Sequence, residues 1–248
     1  MSWRSYGLSF RGYTRRPFRG GEHAAHRFGD ASAREPRTVK IAVTGAAGFI
    51  GRHVVEELGR HPVDVVSVGR RSPRSGDSSK FRHHTVDLND YSPDIYQKLG
   101  SPDVLIHLAW SGLDDFTSPL HVEHELPLHE AFLKTLLAAG LPSLLVTGTC
   151  LEYGLQTGSL AETADTQPVT AYATAKDTLR RRLQRYQDEQ PFKLCWARVF
   201  YPYGDGQAPN SLLPQLRRAV ESGDERFNMS AGDQLRDFIP VESVATII

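Results

Sequence analysis

Short apolar runs recur along the chain from residue 39 onward, and polar-spaced stretches follow most of them. The runs at 39–44, 64–68, 83–86, 104–109, 144–147 and 192–199 are too short for helices and rich enough in branched residues to predict buried strands. Between them, 49–60 carries Ile50, Val54, Val55 and Leu58 at helical spacing. Residues 120–139 and 171–190 also read as helices, with Pro127 expected to kink or interrupt the first of these. Strands alternating with helices imply right-handed βαβ crossovers, so the fold class is α/β, a Rossmann-like doubly wound, mainly parallel sheet. After about residue 201 the text loosens into Pro, Gly and Asn, which predicts a smaller C-terminal substrate lobe. The apolar run PVESVATII, 240–248, ends without a cap, so that lobe is expected to be truncated.

Composition narrows this little. The formal net charge is +0, with 40% hydrophobic and 23% charged residues, so no nucleic-acid footprint is present. No apolar run approaches the length of a membrane span, and Cys150 and Cys195 show no metal-ligand pattern. A reducing, cytoplasmic setting follows as the default. Residues 1–37 differ from the rest: they are rich in Arg, Gly and Ser, lack periodicity, and read as a disordered or spurious extension, with a transit segment as the alternative.

The first strand runs into VTGAAGFIG, 43–51, with glycine at Gly45, Gly48 and Gly51. A strand, a glycine turn and a helix form the context in which main chain binds phosphate. Gly45 allows the turn, Gly48 opens room for a pyrophosphate, and Gly51 lets helix and strand pack closely. This predicts a dinucleotide-binding domain over 38–200 and a partial substrate lobe over 201–248. The second strand ends VVSVGRRSPR: Gly69 stands where an acid would hold the ribose 2′-hydroxyl of NAD, and Arg70 and Arg71 follow. Guanidinium groups pair with a 2′-phosphate, so NADP is favoured, with NAD as the alternative. Asp87, just past the third strand, is a candidate for the adenine amino group.

AYATAK places Tyr172 and Lys176 four apart, on one face of the third long helix. A phenol titrates near pH 10, and a neighbouring ammonium is expected to lower that value. Reaching neutrality requires about three units, on the order of 4 kcal/mol, which a positioned Lys and a cationic nicotinamide are expected to supply together. Such a phenol trades a proton with a substrate oxygen while a nicotinamide trades a hydride. Thr149, at the carboxyl end of the fifth strand, is the hydroxyl best placed to bond the same oxygen, with Thr147 as the runner-up.

Taken together, TGAAGFIG, HLAW (107–110), TGTCLEYG, YATAK, ARVFYPYG and RDFIPVESVA resemble the extended short-chain dehydrogenase/reductases of the nucleotide-sugar epimerase/dehydratase family, in order and spacing. The resemblance covers 39 to the end. It implies that Thr149, Tyr172 and Lys176 are the catalytic set. It implies cofactor contacts from Phe49, Ile50, Leu88, Leu108, Ala109 and Trp110 besides the glycines, Arg70, Arg71 and Asp87, with Tyr172 and Lys176 also touching the cofactor. Arg236 is implied to contact the diphosphate of a nucleotide-sugar, with Asn210 a further substrate contact, and a homodimer is implied. Sugar 4,6-dehydratases of the family carry an Asp-Glu pair after the threonine; Cys150 and Leu151 stand here, which argues against dehydration. Tyr201 replaces a usual asparagine. The wording is most similar to sugar 4-ketoreductases. A 4-epimerase with retained NAD is the alternative, and a non-catalytic cofactor-sensing protein a third reading. His121, His124 and His129 read as a solvated helix face rather than a metal site, and Arg180, Arg181 and Arg182 as a solvated helix face with a dimer contact as the alternative.

Overall fold

The computed structural model describes residues 37–72 and 81–248; the extension read at 1–37 lies outside them except for its last residue, as does segment 73–80. The predicted strands are all present: β1 (Lys40–Thr44), β2 (Asp64–Gly69), β3 (Phe81–Thr85), β4 (Val104–His107), β5 (Ser143–Thr149) and β6 (Lys193–Val199). They form one parallel sheet in the order β3-β2-β1-β4-β5-β6. β1 is central, and Ile41 to Thr44 are buried on both of its faces, which is why its text is an unbroken apolar run.

Helices cover the two faces. On one face α3 (Leu126–Ala138) and α4 (Ala171–Glu189) bury Phe132, Leu133, Leu136, Leu179 and Leu183 against Ala42, Leu105 and Val146, and the short α2 (Ile95–Lys98) adds Ile95. On the other face α1 (Phe49–Leu58) lays Val54 and Val55 against Val43, Val65 and Ile106, and Ala245 of α6 (Val241–Ile247) joins them. Pro127 does not break the 120–139 stretch in two. It occupies the first turn of α3, where its missing N–H is harmless, and a π-helical turn (His121–Glu125) leads into it.

After β6, β7 (Pro202–Tyr203) pairs in parallel with β8 (Ile239–Pro240). α5 (Leu212–Ser222), which the pattern did not announce, has no buried residue, and Leu212, Leu216 and Val220 lie exposed along it.

Candidate active site

The chain runs from β1 outward to β2 and β3, then returns to place β4 on the other side of β1. The carboxyl ends of β1 and β4 therefore part, and this is where an open parallel sheet makes a crevice. Thr44 and His107 are register partners at that point. The crevice is part of a cleft of about 1670 Å³ that runs from the end of β3 to the segment after β6.

The glycine loop forms its floor. Gly45 has φ +69°, and a Cβ there would meet Ala109 N at 2.7 Å, so the turn is both left-handed and pressed against the end of β4. A Cβ on Gly51 would lie 2.1 Å from Gly45 O, which fixes glycine where α1 packs on the loop. Gly48 caps α1 in an extended conformation, no side chain caps the helix, and its first turn carries no acid. The first N–H groups of α1 therefore face the cleft without a protein side chain in front of them, and a diphosphate fits that cradle.

Arg70 and Arg71, beyond β2, line the same cleft, as do Asp87 and Leu88 beyond β3 and Leu108, Ala109 and Trp110 beyond β4. Asp87 Oδ1 accepts from Asn89 N and Nδ2, both at 3.0 Å, and these bonds hold its carboxyl below the usual value, with Arg70 adding to the effect. Phe49 and Ile50 also line it. Asn210 does not: it lies exposed before α5, where its carbonyl accepts from Gln215 Nε2.

At the far end, β5 brings Thr149 and Thr147, α4 brings Tyr172 and Lys176, and all four line the cleft. Thr170 Oγ1 caps α4 by accepting from Ala173 N at 3.2 Å, which starts the helix at Ala171, one residue before Tyr172. Thr149 Oγ1 accepts from Leu151 N at 3.2 Å, and the hydroxyl also hydrogen-bonds the Cys150 thiol. Glu152, fully buried, completes a reciprocal cap by accepting from Thr149 N at 2.9 Å. The same carboxylate accepts from Trp196 Nε1 at 3.0 Å and Arg198 Nε at 2.7 Å, both on β6. Sequence reading passed over Glu152, although Thr149 and Glu152 have the T-x-x-E spacing of a capping box.

Tyr172 departs from expectation. Burial pushes its phenol well above the usual value, and the carboxylate of Glu152 and the thiol of Cys150 add to this. Lys176 Nζ donates to Thr147 O at 3.0 Å and lies 4.0 Å from the Trp110 ring centroid and 5.9 Å from that of Tyr172. Burial pulls Lys176 itself down to about 7, against a rise from Glu152 and Glu125. Arg236 lines the cleft opposite, with its guanidinium 4.4 Å over the Tyr201 ring.

The histidines are not a solvated face. His121 and His129 are buried and only His124 is exposed. Thr44 Oγ1 lies 2.8 Å from His107 Nδ1, His107 Nε2 lies 2.8 Å from His129 Nδ1, and His129 Nε2 lies 3.2 Å from Glu125 Oε2. An ionised carboxylate only accepts, so Glu125 sets the direction of the whole row: each Nε2–H donates onward, both rings neutral. Burial lowers both histidines, and the His129 bond takes Glu125 down to about 2. The arginines are tied as well: Arg180 and Arg181 pair with Asp177, and Arg182 with Glu130. Among the described residues no group of three His, Cys, Asp or Glu is placed to hold a metal ion, and no helix is long and apolar enough to cross a membrane.

Known proteins share this chain's sequence pattern and fold. Residues 41–248 match the sequence pattern of the NAD dependent epimerase/dehydratase family. The dTDP-6-deoxy-L-talose 4-dehydrogenase (NAD(+)) of Aggregatibacter actinomycetemcomitans is 28% identical over 84% of this chain and 77% of its own. The GDP-6-deoxy-D-talose 4-dehydrogenase of the same organism is 26% identical over 85% and 69%. Among solved structures, MoeE5 in complex with UDP-glucuronic acid and NAD superposes with a TM-score of 0.71 at 28% identity, over 84% of this chain and 70% of its own. The UDP-N-acetylglucosamine 4-epimerase of Methanobrevibacter ruminantium M1 reaches 0.75 at 21% identity, over 85% and 72%, a likeness of fold.

Proposed function

Because the chain belongs to the NAD dependent epimerase/dehydratase family, we propose that it reduces, and in reverse oxidises, C4 of a nucleotide-diphosphate sugar, with Thr149, Tyr172 and Lys176 as the catalytic set. The observation that carries this reading is the convergence of those three side chains on the cleft that the uncapped start of α1 also lines.

A bound nicotinamide supplies the hydride in the reductive direction. Tyr172, held protonated by burial, donates its proton to the C4 oxygen. Thr149 donates a hydrogen bond to the same oxygen and keeps it in place, its main chain pinned by Glu152. Lys176 sets a positive charge beside the developing phenolate, and protons from solvent restore the phenol afterwards. The first turn of α1 would hold the diphosphate of the cofactor, and Arg70 and Arg71 its 2′-phosphate, so the cofactor proposed is NADP. Residues 201–248 would form the sugar-nucleotide side, with Arg236 on the substrate diphosphate.

Purified protein is to be mixed with NADPH and a set of 4-keto-6-deoxy nucleotide-sugars, and NADPH absorbance followed. Loss of absorbance with at least one is expected; none with any would overturn the reading. Interconversion of C4 epimers by protein that retains its cofactor through dialysis, with no net absorbance change, would replace it with epimerisation.

A further inference from the structure

We propose that Trp110 is a positioning residue for Lys176: its indole face holds the ammonium at the end of β5, and two buried histidines hold the indole. The inference rests on the role assigned above to Lys176.

Lys176 is fully buried, yet among the described residues no carboxylate lies in contact with it. Its hydrogen bond goes to Thr147 O, and the remaining attraction at short range is the Trp110 ring, 4.0 Å from Nζ to centroid. A desolvated ammonium over an indole face is where a cation–π contact has most effect. The indole is fixed in turn. Its Nε1–H donates to His121 Nδ1 at 3.1 Å, and the opposite nitrogen of His121 donates to Asp115 O at 3.0 Å. Its ring stacks on His129 with centroids 4.4 Å apart and planes 9° apart, and His129 is itself held by His107 and Glu125. Trp110 also meets Tyr172 edge-on at 6.0 Å, so one side chain touches both members of the Tyr-Lys pair. A tryptophan fits this position because its large π-face attracts the ammonium without adding a carboxylate beside it.

The test is NMR titration of Lys176 Nζ in cofactor-free protein, assigned by loss of the signal in Lys176→Arg. The groups around Lys176 are Glu152, Cys150, Glu125, His107, His121, His129, Tyr172 and the Asp177 tied to Arg180 and Arg181; Trp110→Phe and Trp110→Leu leave all of them in place. The midpoint is expected to fall in the order wild type, Phe, Leu, with the Leu variant about tenfold weaker in proton affinity and kcat for hydride transfer falling in the same order at unchanged KM. Should Trp110→Leu fail to fold, Trp110→Phe decides. Equal midpoints alongside an inactive Lys176→Met overturn the inference alone. A Lys176→Met variant that still transfers hydride overturns the role of Lys176 and the inference with it.

Discussion

Phe116 lies over Tyr172. The ring centroids are 5.1 Å apart with planes 22° apart, and the Phe116 carbonyl accepts the Tyr172 N–H at 3.0 Å. A loop residue that is itself 41% exposed thus shields the phenol from water on one face. Trp110 and His121 also pack against the Tyr172 ring, with centroids 6.0 and 5.2 Å away. Tyr172→Phe keeps these ring contacts and removes the hydroxyl. It is expected to lower kcat by roughly 10²–10⁴-fold with little change in KM or in thermal unfolding, read from steady-state kinetics and a melting curve.

The pH profile follows from Lys176. Its ammonium titrates at about 7, so the cationic form is present below that value and lost above it. For the free protein, kcat/KM for reduction should fall as pH rises through about 7, while the phenol stays protonated across the window. Lys176→Arg, charged throughout, should move that limb to higher pH even if its maximum rate is lower.

Cofactor choice is expected to sit at the end of β2. Replacing both Arg70 and Arg71 by alanine should weaken NADPH binding about 10–100-fold, the loss of one or two charge-assisted hydrogen bonds, and leave NADH almost unchanged. Calorimetric titration with the two dinucleotides measures the ratio; equal losses for both would remove the arginines from the 2′-phosphate.

Glu125 links the histidine row to acid stability. Its folded value is about 2 against 4.5 for an ordinary glutamate, so its contribution is whole above 4.5 and disappears as pH falls through 2. Between pH 5 and pH 3 the stability difference between wild type and Glu125→Gln should shrink by about 2 kcal/mol. Urea unfolding of both proteins at the two pH values reads it.

Two loop glycines should part company. Gly51→Ala forces a methyl to 2.1 Å from Gly45 O and should destabilise by about 1–3 kcal/mol. A Cβ on Gly48 meets the same oxygen at 3.1 Å, so Gly48→Ala should melt close to wild type yet bind cofactor more weakly. Thermal unfolding with and without dinucleotide separates the two effects.

How much of this the chain announces depends on how local each signal is. β1 and β2 are apolar on both faces and could be read directly; β3 lies at the sheet edge, so its FRHHT text is polar, and its start at Phe81 was missed by two residues. α5 opens LLPQL, and the proline in its first turn made a helix read as a loop. Tyr172 and Lys176 are one turn apart, and that spacing was legible. The histidine row was not. His107 and His129 are 22 residues apart and His107 and Thr44 63 apart, so their partners appear only once β1, β4 and α3 are assembled. Polar residues whose partners are distant look like solvated ones in a linear reading. The phenol's raised value was hidden for the same reason, because Phe116, Trp110 and Glu152 reach it from separate elements.

Glu152 gives β5 and β6 a common anchor. One carboxylate takes hydrogen from the main chain at Thr149 and from two side chains of β6, while Arg198 reaches on to Tyr153 and the Glu162 carbonyl. The Thr149 hydroxyl, proposed to meet the sugar, therefore rides on a braced plate instead of a free loop tip. Damage at Arg198 or Trp196, neither of which needs to touch a sugar, should surface as a kinetic fault. Conversely, the segment past Val199 lies outside this brace, so substitutions there should leave the placement of Thr149 as it is.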